Sequence, residues 1–347
     1  MGSREAGRVP GLFISRKIAR AVLETRQPIE LTVGALPKFV FGISEAETTF
    51  ARRGFRGGEG GAREHMEKVG TAFVAGYHAA LENSREEFLE PRLGQIDPMF
   101  RGFAYEGAAM ALGILDRVTP WRRDRVKNFL NGAGGPHTYM VHVALGWVAA
   151  RMPGRLGKTM EPLDPLLRWL VLDGYGFHEG FFHWKKYLNG QPVPKRVTGY
   201  AARVFDQGLG RSLWFVEGGS VARLRETVAG FSESRRGDLW SGLGLASVYA
   251  GGVSEVELQS LRATAGNFLP QLAQGAAFAA KARHRAGLPN ACTDRACWIL
   301  CGLSSADAAA VTDAALENLP ASGEEPAFEI WRRRIQKILS QGKELKR

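Results

Sequence analysis

Apolar residues return every three to four positions along most of the chain. Between residues 67 and 82, Val69, Phe73, Tyr77 and Leu81 lie four apart, a spacing that puts side chains on one face of a helix. Alternating Val/Ile/Thr runs bounded by turn residues are nearly absent, Ile29–Val33 being the exception, so strands are not expected to organise the molecule. The pattern divides the chain into a loosely ordered lead-in (1–40), a helical body (41–325) and a C-terminal helix (326–347). Ser44-x-x-Glu47 is a capping pattern for a short helix around 45–52. Residues 54–61 hold five glycines in eight and read as a mobile loop. At the C-terminus, Phe328, Trp331, Ile335, Ile338 and Leu339 form one apolar stripe, with arginines on the opposite face and Pro326 suited to a first turn.

A second, longer period overlies the helical one. Short segments pair a polar residue with Gly and then run apolar and small: Tyr105-Glu106-Gly107, His178-Glu179-Gly180, Asp206-Gln207-Gly208, Trp240-Ser241-Gly242 and Ala273-Gln274-Gly275, with a degenerate copy at 142–146. The glycines at 180, 208, 242 and 275 are 28, 34 and 33 residues apart, and 107 precedes 180 by 73. Periods of this size mark stacked supersecondary units. One unit reads as a helix over 238–251, a Gly251-Gly252 turn and a partner helix over 253–265. Glycine inside a helix costs about 0.5–1 kcal/mol against alanine, so its recurrence implies close contact between neighbouring backbones. The expected fold is all-α: stacked, tetratricopeptide-like helical hairpins forming one curved domain with a concave groove.

The 347 residues have ordinary globular composition, 45% hydrophobic and 23% charged. Net charge is +11, but it is concentrated at the ends. Residues 1–26 carry six cations against two acids, and 331–347 carry seven against one. The body is therefore close to neutral, which argues against a nucleic-acid groove. Basic ends suit an anionic membrane surface or an acidic partner, while the C-terminal stripe can equally pack on the body. No apolar run reaches the ~20 residues needed to span a bilayer as a helix, and no secretory h-region stands near the start. The three cysteines, Cys292, Cys297 and Cys301, fit no zinc-knuckle spacing and lie on an apolar stretch. A cytoplasmic setting is expected.

Candidate chemistry clusters in residues 174–187. Glu179 and His183 are four apart and share a helix face, so they form a metal-ligand pair for zinc or non-haem iron, to be completed by Glu106, His137 or His142. His178, five before His183, points elsewhere. The competing reading of the same residues is a buried polar network or a helix ion pair. With the repeat in register, Glu106, Glu179 and Gln207 would share one side of the array, beside Tyr105, His178 and Asp206. Glu106, His178, Glu179 and His183 are the candidate catalytic set. Tyr105, His137, His142, Phe177, Phe181, Trp184, Asp206, Trp214 and Trp240 are candidate ligand contacts, in a groove suited to an elongated apolar molecule. The competing reading makes the aromatics simple core. No nucleotide cofactor is expected: Gly154-x-x-Gly157-Lys158-Thr159 lacks the first P-loop glycine, and no strand precedes Gly242-x-Gly244.

Several long runs resemble a known family. They are RGFAYEGAAMAL (101–112), HTYMVHVALGW (137–147), LDPLLRWLVLDGYGFHEGFFHW (163–184), FDQGLGRSLWFV (205–216), DLWSGLGLASVYAGG (238–252) and LAQGAAFAAKAR (272–283), preceded by Phe41-Gly-Ile-Ser44 and Phe50-Ala-Arg-Arg-Gly54-Phe55. The chain is similar over about residues 40–340 to the UnbL-like family of unknown function, encoded beside the iterative polyketide synthase in enediyne biosynthetic clusters. The resemblance implies a place in the conversion of a linear polyene into an enediyne core, alongside UnbV-like and membrane-embedded UnbU-like proteins and a thioesterase. It supplies no catalytic residues. Two readings follow. One is a protein that acts on or holds a hydrophobic polyene intermediate, with or without a metal. The other is a non-catalytic scaffold that docks the synthase or a membrane partner, with peripheral membrane contact through the basic ends.

Overall fold

The computed structural model describes residues 35–119, 121–152, 154, 156–320 and 323–344. Ile29–Val33 and most of the expected lead-in lie outside the described residues. Among those described there is no strand. Nine helices carry the argument: α1 (Ala62–Glu82), α2 (Pro98–Val118), α3 (Thr138–Arg151), α4 (Leu170–Phe182), α5 (Tyr200–Val216), α6 (Glu233–Tyr249), α7 (Leu269–Arg285), α8 (Ser305–Ala314) and α9 (Ala327–Glu344). From α1 to α8 each packs on the next as an inner layer. Shorter helices between them, such as Val221–Ala229 and Glu255–Ala265, form the outer layer. The expected stack of helical hairpins is what the chain forms.

Local chemistry sets several boundaries. Asp97 caps α2, accepting from the Met99 backbone N–H at 2.8 Å, with Pro98 at the first helical position. The hairpin expected over 238–265 appears as α6 and Glu255–Ala265, the second opened by a full Ser254/Glu257 capping box. Ser44 caps only a 3-10 turn, Glu45–Thr48, followed by Phe50–Arg53, so the single helix expected over 45–52 is broken in two. Thr49 causes the break: its extended backbone caps the second piece.

Glycines set the spacing of the inner layer. A methyl group on Gly208 (α5) would collide with the carbonyl of Asp173 (α4), and one on Gly176 (α4) with the carbonyl of Phe205 (α5). The same reciprocal pairing joins α5 to α6 through Gly210 and Gly242, and α6 to α7 through Gly244 and Gly275. It also joins α1 to α2 through Gly76 and Gly107. The register differs from the sequence expectation at one place. Gly174, not Gly180, faces the preceding helix, lying against the Val143 carbonyl; Gly180 meets the Ser212 side chain instead. The glycines in register are therefore 174, 208, 242 and 275, at spacings of 34, 34 and 33.

Tight inner contacts curl the array until its start meets its far side. Arg283 (α7) donates to the Met99 carbonyl at 3.0 Å and to the Tyr249 carbonyl at 2.6 Å. The His65 ring donates to the Ala250 carbonyl at 2.6 Å. The open concave groove expected from a gently curved array is thus closed into an interior. Helix α9 packs against α7 and α8, burying Phe328, Trp331, Ile335 and Leu339. Its Arg332 is fully buried between Asp238 (2.7 Å) and Glu329 (3.1 Å), carboxylates that offset the cost of removing a cation from water. The apolar stripe is therefore spent on the body, and only Ile338 of the five remains exposed. No helix among the described residues is long and apolar enough to cross a membrane.

Candidate functional site

The closed interior leaves a cavity walled by α1 to α6 and lined by Phe73, Phe103, Trp147, Phe177, Phe181 and Phe215. The cavity is small, about 60 Å³. Its walls are almost wholly apolar. Residues 43–57 cover one side, contributing Ile43, Thr48, Phe50 and Phe55 to the lining. This cover is pinned at several points. Arg53 binds Glu47 and donates to the Phe182 carbonyl at 2.7 Å, and the Trp184 indole donates to the Arg53 carbonyl at 3.0 Å. Arg56 pairs with the buried Glu217, while its backbone N–H donates to the Val216 carbonyl at 2.8 Å. The glycine-rich stretch expected to be mobile is thereby held, with Gly57 packed on the Glu217 carbonyl.

Two acids line this cavity: Glu47, bound by Arg52 and Arg53, and Glu106. Glu106 precedes Gly107, whose contact with the Phe73 carbonyl brings the α2 backbone against α1 and places the carboxyl in the interior. Glu106 is 2% exposed, and its Oε1 has no hydrogen-bond partner. Burial lifts its pKa to about 7, although the Arg211 cation pulls it down; the Asp173 carboxylate adds to the rise. The Trp147 indole N–H approaches it without reaching hydrogen-bonding geometry and is itself unpartnered. A carboxyl poised near neutrality can give or take a proton at physiological pH.

Behind Glu106 runs a buried polar ladder. Arg211 is held by Asp173, which also accepts from Gln207 Nε2 at 2.8 Å. The Ser241 hydroxyl lies between Gln207 Oε1 (3.1 Å) and Gln274 Oε1 (2.9 Å), and Gln274 Oε1 accepts in turn from Arg332 at 3.4 Å. Asp173, Gln207, Ser241 and Gln274 each precede an inner-layer glycine. Asp173, not Glu179, takes the α4 place in the series. Sequence reasoning missed Asp173 and Arg211, although the 34-residue step back from Gln207 points straight at Asp173.

The other candidates divide. Phe177 and Phe181 line the cavity. His178 and Glu179 form a separate network: the His178 Nδ1–H donates to Glu179 Oε1 at 3.3 Å, and the Tyr187 hydroxyl donates to Oε2 at 2.7 Å. Burial pushes His178 down to about 4, and its Nε2 is unpartnered. Burial raises Glu179, but the hydrogen bonds from His178 and Tyr187 outweigh it and leave its pKa lowered. His183 lies exposed in the break between α4 and Trp184–Asn189, its ring 6.4 Å from that of His178. Among the described residues no group of three or more His, Cys, Asp and Glu side chains is placed to hold a metal, so Glu179 and His183 find no third ligand.

Tyr105 stacks on His137 at 3.8 Å, away from the cavity lining. Burial pushes His137 down to about 4. His142 donates from Nδ1 to the Thr138 carbonyl at 2.7 Å and faces a different space. Asp206 is bound to Arg235 at 2.5 Å. Trp214 is fully buried and donates to the Gly251 carbonyl at 2.9 Å, and Trp240 is buried as well. These last three are core, the commoner place for such side chains. Phe103, expected among the aromatics of the groove, lines the cavity, whereas Phe73 and Phe215, missed as ligand contacts, carry no local signal that separates them from core.

The chain belongs to a family described as "Protein of unknown function (DUF1702)", whose model matches residues 32–339. No curated protein and no solved structure matches it.

Proposed function

We propose that this protein holds a slender apolar molecule in the closed interior and presents Glu106 to it as a proton donor or acceptor. The resemblance to UnbL-like proteins supplies the ligand class: a linear conjugated polyene on its way to an enediyne core, received from a polyketide synthase and passed among UnbV-like and UnbU-like cluster partners. The observation that carries the reading is one carboxyl oxygen without a partner, in an aromatic-walled cavity where burial brings its pKa to about 7. A merely structural acid would be fully hydrogen-bonded or paired. Flat π systems also suit the ligand class, because conjugated chains stack on aromatic walls. Metal ligation by Glu179 and His183 is not part of this reading. Contact with an anionic membrane would rest on terminal charge alone, since the apolar face of α9 is occupied.

Binding of diphenylhexatriene, a linear polyene whose fluorescence rises in apolar surroundings, tests the reading. Saturable enhancement is expected with the native chain. It should be lost in Ala246→Phe, which fills the cavity from α6. No enhancement with the native chain, or equal enhancement in a folded Ala246→Phe variant, would overturn it.

A further inference from the structure

The glycine pairing is missing at two inner-layer interfaces: between α7 and α8, where α8 has no glycine, and between α2 and α3. The 34-residue register that places Gly107, Gly174 and Gly208 places Val141 between them. On α2, Gly113 meets the Val148 and Leu145 side chains rather than a backbone carbonyl. Side chains hold these two helices apart, and a groove of about 1080 Å³ opens along them. It is distinct from the cavity at Glu106 and shares no lining residue with it.

Charge in this groove is unbalanced. Arg123, Lys127, Lys158 and Arg285 line it, and among the described residues none of them forms an ion pair. Both acids that line it are already engaged. Asp116 is bound to Arg125 at 3.2 Å and accepts from the Arg125 and Val126 backbone N–H groups, and Asp164 accepts from those of Leu166 and Leu167. The near-neutral body therefore carries a local concentration of available cations. On the groove wall His142 is 3% exposed. Its Nδ1–H is committed to the Thr138 carbonyl, so the neutral ring offers Nε2 as a hydrogen-bond acceptor, and that atom has no partner. Leu130, Leu145, Val148, Met152 and Leu163 make the rest of the wall apolar.

We infer that this groove binds a small organic phosphate: an anion met by the four cations, a short apolar arm on the aliphatic wall, and a hydroxyl or N–H donor that satisfies His142 Nε2. Buried polar atoms without partners are uncommon in folded proteins, and a ligand donor supplies the missing bond. The cations come from separate elements: Lys127 from Arg125–Asn131 with Arg123 just before it, Lys158 from Leu156–Met160, and Arg285 from the end of α7.

Calorimetry with four probes separates the three contacts. 6-Hydroxyhexyl phosphate carries all of them, hexyl phosphate lacks the donor, inorganic phosphate lacks arm and donor, and 1,6-hexanediol lacks the anion. Affinity should fall in that order, with no binding of the diol. Exposed Lys127 and Lys158 can be removed without disturbing the core, and Lys127→Ala/Lys158→Ala should weaken every phosphate probe about tenfold, as two partly screened charge contacts would. His142→Phe should remove the preference for 6-hydroxyhexyl over hexyl phosphate while leaving binding of hexyl phosphate in place. Absence of binding by all three phosphates, or affinities unchanged in the double lysine variant, would overturn the inference.

Discussion

The side-chain amide of Gln207 donates to the Asp173 carboxylate at 2.8 Å, while the next residue, Gly208, lies against the Asp173 carbonyl. One backbone approach thus sets both the spacing of α4 and α5 and the reach of a buried hydrogen bond. Gly208→Ala should force these helices apart and break the bond. The cost expected is about 2–4 kcal/mol, from overpacking together with an exposed buried polar pair. Gly94→Ala, at a helical site where an added methyl meets nothing, should be neutral or stabilising by up to about 1 kcal/mol. Urea unfolding of the two variants measures both, and comparable losses in the two would contradict the ladder.

Glu106 should make the protein less stable as pH rises. Its folded pKa of about 7 stands above the ordinary value of 4.5, so its contribution is fully present below 4.5 and is lost as pH climbs through 7. The loss by pH 8 should be about 3 kcal/mol. Glu106→Gln should therefore gain on the native chain between pH 5 and 8. Parallel pH profiles for the two proteins would show that Glu106 ionises at its ordinary value.

His137 and His178 act in the opposite direction. Both are held neutral by burial, down to about 4, so the stability tied to that state is present above pH 6.5 and disappears as pH falls from 6.5 toward 4. Each contributes about 3 kcal/mol across that window. His137→Phe keeps a ring against Tyr105 and should flatten the acid limb of the pH–stability curve. An unaltered limb would place the ring's protonation elsewhere.

Deleting residues 331–347 should unfold the distal end of the array instead of leaving a trimmed body. The deletion removes Trp331, whose indole donates to the Thr312 carbonyl at 2.8 Å, and Arg332, whose loss leaves Asp238 and Glu329 short of a cation. Far-UV circular dichroism should show helix loss beyond the deleted residues, with a lower melting temperature. Lys337→Ala, which removes an exposed charge alone, is the variant suited to asking whether the basic end recruits a partner.

Much of the helix plan was legible because apolar spacing is a local property: Val69, Phe73, Tyr77 and Leu81 report α1 without reference to anything distant. The two-helix unit around 238–265 was legible for the same reason. The register was harder. Gly174, Gly176 and Gly180 crowd one helix, and only the backbone each one faces shows that 174 and 176 serve the two neighbours while 180 does not. The choice of Glu179 over Asp173 for the polar series followed from that slip. The aromatic wall was half visible, Phe177 and Phe181 standing in a conspicuous run while Phe73 and Phe215 looked like ordinary core.

By itself the sequence determined an all-α array with glycine-spaced helices, because a 3.6-residue repeat and a 34-residue repeat are both written along the chain. It also determined that the C-terminal stripe needed a cover, since large apolar side chains leave water wherever they can. Tertiary structure alone decided that the array closes on itself, that the stripe is covered by α7 and α8, and which acid stands alone. Closure depends on small inter-helix rotations added over successive units. The ionisation of Glu106 depends on desolvation by rings contributed from α1 to α6, which no local stretch of sequence contains.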